Sequence, residues 1–306
     1  MSDNKPIIVV AVGGNALLQR GELMSYENQK SNIAVATQAL AKLSEAYRVV
    51  IVHGNGPQVG LLALQNLAYT DAPPYPLDVL GAETQGMIGY MMAQGLQQAL
   101  PNGKVSTVLT QIEVDANDPA FDEPNKFIGP VYDHETAQQK ATQYGWSIKA
   151  DGEYWRRVVP SPMPQKIVEL DGIRTLLAAD HTVICCGGGG CPVINAGGEF
   201  GYQGVEAVID KDLSAAVLAK QLGAEHYLIL TDGEYVCVDW GTPNEKALHQ
   251  ISVEDIQQYT FAAGSMAPKV EACCEFATAT KGIGHIGSLH KASEIMANQS
   301  GTHIHL

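Results

Sequence analysis

Apolar residues fall along this chain in short unbroken runs. IIVVAV (7–12), RVVIVH (48–53), VSTVLTQIEV (105–114), HTVICC (181–186) and HYLILT (226–231) are rich in β-branched residues and do not alternate with polar ones. Such runs suit strands covered on both faces, as in a parallel sheet between helices. Between them the apolar positions recur at helical spacing. In 28–47, Ile33, Ala36, Leu40 and Leu43 share one face, and the run 212–224 ends with Leu222-Gly223, a C-cap pattern. Alternating strand and helix signals predict a layered α/β sandwich.

One region breaks the rhythm. From 117 to 165 the chain is polar and proline-rich, with Trp146 and Trp155. A segment this long needs structure or function of its own. It reads as an inserted lid subdomain within a single domain spanning 1–306, between the strand at 105–114 and a helix near 165–178.

The strands stop at glycines. Gly13-Gly14-Asn15 follows the first, Gly54-Asn55-Gly56-Pro57 the second, Gly187 to Gly190 the fourth, and Thr231-Asp232-Gly233 closes the fifth. In open parallel sheets ligands bind beyond the carboxyl ends of strands. Glycine lets backbone approach a ligand, and the next helix offers free N–H groups and its positive dipole end. Pro57 suits a helix start. Several such loops on one edge point to a phosphorylated anion, although neither a Walker loop nor a dinucleotide fingerprint is present.

Composition narrows the partners. The 306 residues carry a net charge of −14 and no Lys/Arg cluster, which excludes a nucleic-acid surface. No apolar stretch approaches the roughly 20 residues of a membrane span, and the polar start MSDNKP lacks a signal-peptide core, so a cytoplasmic protein is expected. Cys185, Cys186, Cys191, Cys237, Cys273 and Cys274 lack zinc spacing and read as small buried hydrophobes.

With no Walker lysine, the cations for a phosphate must come from elsewhere. Lys211 follows Asp210 and precedes Asp212 where an apolar run meets a helix start, and Asp210 is read as fixing it. Lys269 opens a helix after Pro268, where a cation is unfavourable unless an anion is near. Lys126 lies in the lid segment. Three cations about one anion suit phosphoryl transfer, which asks for charge and alignment rather than covalent chemistry.

The motifs VAVGGNALL, VHGNGPQVG, QGMIGY, GGGGCPV, GVEAVIDKDL and GSMAPKVEA, in this order from residue 9 to about 271, resemble the carbamate kinases of the amino acid kinase family. The resemblance implies a three-layer αβα sandwich around a largely parallel sheet of about eight strands, a small lid and a homodimer. It implies reversible phosphoryl transfer between carbamoyl phosphate and ADP, giving ATP and carbamate, in the ATP-forming direction. Gly13, Gly14, Asn15, Gly54, Asn55 and Gly56, with Gly188 and Gly189, would surround the carbamoyl and phosphoryl groups. Lys126, Lys211 and Lys269 would be catalytic cations, with Asp210 orienting them. Lys211 and Lys269, with Thr231, Asp232, Tyr235 and Met266, would line the nucleotide. Carbamate is already an anion, so no general base is needed and His53 is read as structural. Mg²⁺ would be held mainly by the nucleotide phosphates. The lid departs from the family pattern at Phe127, where proline is usual, and at 150–157. A related kinase of another small carboxylate and a non-catalytic sensor are the competing readings. Two smaller signals are read as structural. His303 and His305 would share one face of an edge strand, and Met91-Met92 would pack a helix or an interface.

Overall fold

The computed structural model describes residues 5–14, 17–19, 21–198, 201–262 and 265–306. Eight strands make the central sheet. They are β1 (Ile7–Val12), β2 (Arg48–His53), β3 (Lys104–Thr107), β4 (His181–Ile184), β5 (His226–Thr231), β6 (Gln250–Ser252), β7 (Ile283–Ser288) and β8 (Thr302–His305). Across the sheet the order is β6-β8-β7-β5-β1-β2-β4-β3. All neighbours are parallel except β7 with β8, so β6 and β8 oppose the other six. The expected sheet of about eight mostly parallel strands is present.

The helices are α1 (Tyr26–Leu43), α2 (Gly56–Ala68), α3 (Leu77–Ala99), α4 (His134–Tyr144), α5 (Leu170–Ala178), α6 (Lys211–Leu222), α7 (Val253–Ile256), α8 (Ala267–Thr280) and α9 (Ala292–Met296). Because side chains alternate across a strand, β1 serves both layers. Ile8, Val10 and Val12 pack with Ile33 and Leu40 of α1 and Ile88, Met91 and Met92 of α3. Val9 and Ala11 pack with Ile173 of α5, Leu218 of α6 and Phe276 of α8. The paired methionines are thus core residues. α1 starts at Tyr26 rather than residue 28, because Ser25 accepts a hydrogen bond from the Asn28 amide (3.2 Å), and it ends at Leu43 rather than Tyr47.

The single strand expected over 105–114 is two. β3 stays in the main sheet, and Gln111–Val114 joins a second sheet ordered Gly201–Gly204, Cys191–Gly197, Gln111–Val114, Pro164–Ile167. The break is held from α3. Gln85 accepts from the Thr110 amide (3.0 Å) and donates to the Thr110 carbonyl (3.1 Å), satisfying a buried turn that a straight strand would bypass. The helix near 165–178 begins only at Leu170, since Pro164–Ile167 is that sheet's edge.

Within 117–165 the chain builds a unit of its own. Strands Lys126–Tyr132, Tyr154–Val159 and Ser147–Asp151 pair antiparallel in that order, and α4 packs on them. It meets the main body at α2. A Cβ on Gly60 would stand 2.2 Å from the Gly129 Cα, so helix and strand touch backbone to backbone.

At the amino-terminal end of β5 three imidazoles line up across neighbouring strands. His226 Nδ1 lies 3.1 Å from His285 Nε2, His285 Nδ1 lies 2.8 Å from His303 Nδ1, and His303 Nε2 lies 3.1 Å from the Ser300 carbonyl. β8, which carries His303 and His305, is second from the edge and not the edge itself, because β6 pairs outside it. Among the described residues no helix is long and apolar enough to cross a membrane, and the six cysteines are free, five of them buried.

Candidate active site

Parallel strands β1, β2, β4 and β5 bring their carboxyl ends to one edge. A cavity of about 240 Å³ opens there. Gly14, Gly54, Asn55, Gly56 and Gly188 form one wall, Asp210, Lys211 and Asp212 a second, Pro268 and Lys269 a third, and Lys126 and Phe127 reach in from the appended unit. A larger hollow of about 960 Å³ runs along the outer faces of α6 and α8, away from these lysines, and gathers no cluster of cations.

The charges are ordered by α6. Asp210 is its N-cap and accepts from the Asp212 amide (2.9 Å), a standard helix start. That leaves the first-turn residues Lys211 and Asp212 at the cavity. Asp212 is 2% exposed and bridges two lysines, with Oδ1 2.6 Å from Lys211 Nζ and Oδ2 2.8 Å from Lys269 Nζ. Lys126 pairs with Asp210 Oδ2. The reading in which Asp210 fixes Lys211 is therefore corrected. As the cap, Asp210 turns its carboxylate outward to the appended unit, and Asp212, one step into the helix, holds Lys211. Lys269 has the anion its helix-start position demands, and the anion is Asp212.

These pairings shift the proton equilibria. Burial alone would raise the Asp210 carboxyl, but Lys126 and Lys211 outweigh it and hold it well below the usual carboxylate range. Asp212 is lowered in the same way, its burial outweighed by Lys211 and Lys269. The two lysines it bridges part company. Burial lowers Lys211, with Asp212 opposing, whereas Lys269 is raised because Asp212 outweighs its burial. Tyr227 buttresses this corner by donating its hydroxyl to the Asp212 carbonyl (2.7 Å). Three lysines against two aspartates leave one net positive charge facing the cavity.

The glycine wall is tight. A Cβ on Gly54 would meet the Gly14 nitrogen and the Lys211 stem, each at 3.3 Å. At the start of α2, Asn55 occupies the cap position without a side-chain capping bond, and Pro57 has no N–H. The amides of Gly56 and Gln58 are thereby left for an anion. His53 lies behind this wall, fully buried, and desolvation drives its pKa down to about 4. The neutral ring donates from Nδ1 to the Gly54 carbonyl (2.9 Å) and acts as a brace, as expected.

The run Gly187 to Gly190 has a different cause from the one its density suggests. Cβ atoms there would strike the His53 ring (2.4 Å), the Asn55 amide (2.1 Å), the Ile209 carbonyl (2.3 Å) and Ile112 (2.4 Å), and the last three glycines have positive φ. Protein packing demands these glycines, and only Gly188 lines the cavity. Gly189 is held beneath it by Ser214, and Gly13 donates to the Leu230 carbonyl (3.0 Å). Thr231 ends β5, Tyr235 sets its ring edge-on to His249, and Met266 caps α8 against the core. These three and Asp232 lie outside the lining of this cavity. Asn15 lies outside the described residues. Sequence reasoning missed Asp212 as the central anion, and its signal was an acidic residue two places after the helix cap. It also missed the wall residue Phe127, over which the Arg156 guanidinium lies at 5.6 Å.

Among the described residues no group of three or more His, Cys, Asp or Glu side chains could hold a metal ion. Comparison with known proteins agrees with the geometry. The sequence profile of the amino acid kinase family matches residues 6–287. The chain is 52% identical over 299 residues to the carbamate kinase of Escherichia coli K12, covering 98% of this chain and 99% of that one. It is 44% identical over 310 residues to the carbamate kinase of Pyrococcus furiosus, covering 97% and 98%. The solved carbamate kinase of Giardia lamblia bound to AMP-PNP superposes with a TM-score of 0.90 at 40% identity, covering 99% of each chain.

Proposed function

The chain belongs to the amino acid kinase family, among its carbamate kinases, and from that premise we propose how its residues move a phosphoryl group between carbamoyl phosphate and ADP. The observation that carries the reading is the convergence of Lys126, Lys211 and Lys269 on Asp210 and Asp212 at a glycine-walled cavity. Charge on the transferring group spreads over its equatorial oxygens, and fixed cations stabilise it best in a partly buried site. Asp212 keeps Lys211 and Lys269 in place before substrate arrives, so little reorganisation accompanies transfer. Carbamate attacks as an anion, so no side chain has to remove a proton, and His53 with its pKa of about 4 is not asked to.

The glycine loops with Asn15, Gly54, Asn55 and Gly56 are proposed to hold the carbamoyl end. Lys211 and Lys269 face the nucleotide phosphates, with Thr231, Asp232, Tyr235 and Met266 toward the nucleoside. Residues 117–165 act as the lid, and Lys126 brings its charge over the phosphoryl group. Mg²⁺ comes with the nucleotide. Both site carboxylates are already engaged by lysines, which suits an ion held by phosphate oxygens and water, where it neutralises the phosphates. The enzyme is proposed to work as a cytoplasmic homodimer in the ATP-forming direction. Coupled ATP formation from ADP, carbamoyl phosphate and Mg²⁺ tests the activity, and no ATP in a clean assay would refute it.

A further inference from the structure

Asn55 sits at a helix N-cap, yet its amide turns to α3, where Nδ2 donates to Thr84 Oγ1 at 2.8 Å. Thr84 Oγ1 lies 2.7 Å from the Gly81 carbonyl oxygen. Two oxygens so close must share a proton, and only the hydroxyl has one. That proton is committed to Gly81, so Thr84 can only accept from Asn55. The NH₂ edge of the amide must face Thr84, and Oδ1 is the edge left over. Thr84 is wholly buried and Asn55 nearly so, which shields the arrangement from water. Gly188 clamps the amide flat, since a Cβ there would fall 2.1 Å from Nδ2 and 2.5 Å from Oδ1. No described residue donates to Oδ1, while Asn55 and Gly188 both line the cavity.

We propose that Asn55 Oδ1, aimed by Thr84, accepts an N–H from the amino group of the substrate and so selects carbamoyl over acetyl compounds. The inference rests on the carbamate kinase reading above and adds the specificity device. Carbamoyl phosphate and acetyl phosphate match in shape and charge, and differ by NH₂ against CH₃. A methyl group leaves the aimed acceptor desolvated and unpaired, a loss of roughly 10- to 100-fold in kcat/KM.

The test compares kcat/KM for the two phosphates at saturating MgADP. Wild-type enzyme is expected to favour carbamoyl phosphate by at least about tenfold. Thr84→Val frees the amide and is expected to shrink that ratio several-fold, with the KM for ADP nearly unchanged. Thr84→Ser keeps the hydroxyl and is expected to keep the ratio. Equal use of the two phosphates by wild-type enzyme overturns the proposal, and this arm stands even where the valine variant does not fold. An unchanged ratio in folded Thr84→Val, with both activities falling together, overturns it too and leaves Thr84 a packing residue. No ATP from either phosphate in the wild type instead refutes the activity itself.

Discussion

The two ends of the cavity hold their cations differently. On the core side Lys211 and Lys269 rise from helices bound into the main body and share one buried carboxylate, their side chains 13% and 16% exposed. On the outer side Lys126 hangs from a three-stranded sheet that meets α2 through two glycines, and its side chain is 32% exposed. The core charges are fixed by burial. The outer charge is placed by the position of a separate unit and is open to solvent. The cavity therefore has buried, fixed charge at one end and a solvent-open charge at the other.

The sharpest way to break the contrast is on the core side. Lys211→Ala is expected to lower kcat by about 10²–10³ while the KM for ADP changes only a few-fold, because the charge matters most in the transition state. Equal loss in nucleotide affinity at unchanged kcat would remove that role. Asp212→Ala leaves two buried lysines without their anion and is expected to destabilise the fold by about 3–5 kcal/mol, read from urea unfolding. Lys126→Ala should spare stability, within about 1 kcal/mol, since its pair with Asp210 is partly exposed. Its activity should drop about tenfold or more and become less sensitive to salt than that of wild-type enzyme. Gly60→Ala should mimic it by pushing Gly129 outward, with a KM for carbamoyl phosphate that rises while core stability holds. A Gly60→Ala enzyme with normal kinetics would show that the contact does not position Lys126.

Acid offers the gentlest separation. The folded-state pKa of His53 lies at about 4, below the unfolded value near 6.5. The unfolded chain therefore binds that proton first, and stability falls as pH drops from about 6.5 toward 4, by about 2 kcal/mol at pH 5. His53→Asn keeps a donor for the Gly54 carbonyl and removes the titration, so its unfolding midpoint should vary less over this window.

Much of the core side was legible in the sequence, because long β-branched runs, glycines at strand ends and lysines at helix starts are all local signals. What was not legible depends on rotation and packing. Whether Asp210 or Asp212 holds Lys211 is decided by which residue caps α6. The break at 108–110 is decided by Gln85, twenty-five residues away. Gly187 to Gly190 suggested a ligand by density alone, whereas four side chains and backbones from distant segments require those glycines. Phe127 looked like a departure from pattern and stands on the cavity wall beneath the Arg156 guanidinium.

The row of imidazoles across β5, β7 and β8 obeys a rule of direction. A carbonyl can only accept, so Ser300 obliges His303 to present N–H from Nε2, which makes its Nδ1 an acceptor. His285 must then donate from Nδ1 and accept at Nε2, and His226 must donate from Nδ1 in turn. One backbone oxygen thus dictates the tautomer of three side chains on three strands. Only the outer nitrogen of His226 is left outside this chain of bonds, and burial lowers the pKa of each of the three rings. Three histidines that a composition count treats as interchangeable thus have their ring orientations set from one end of the row.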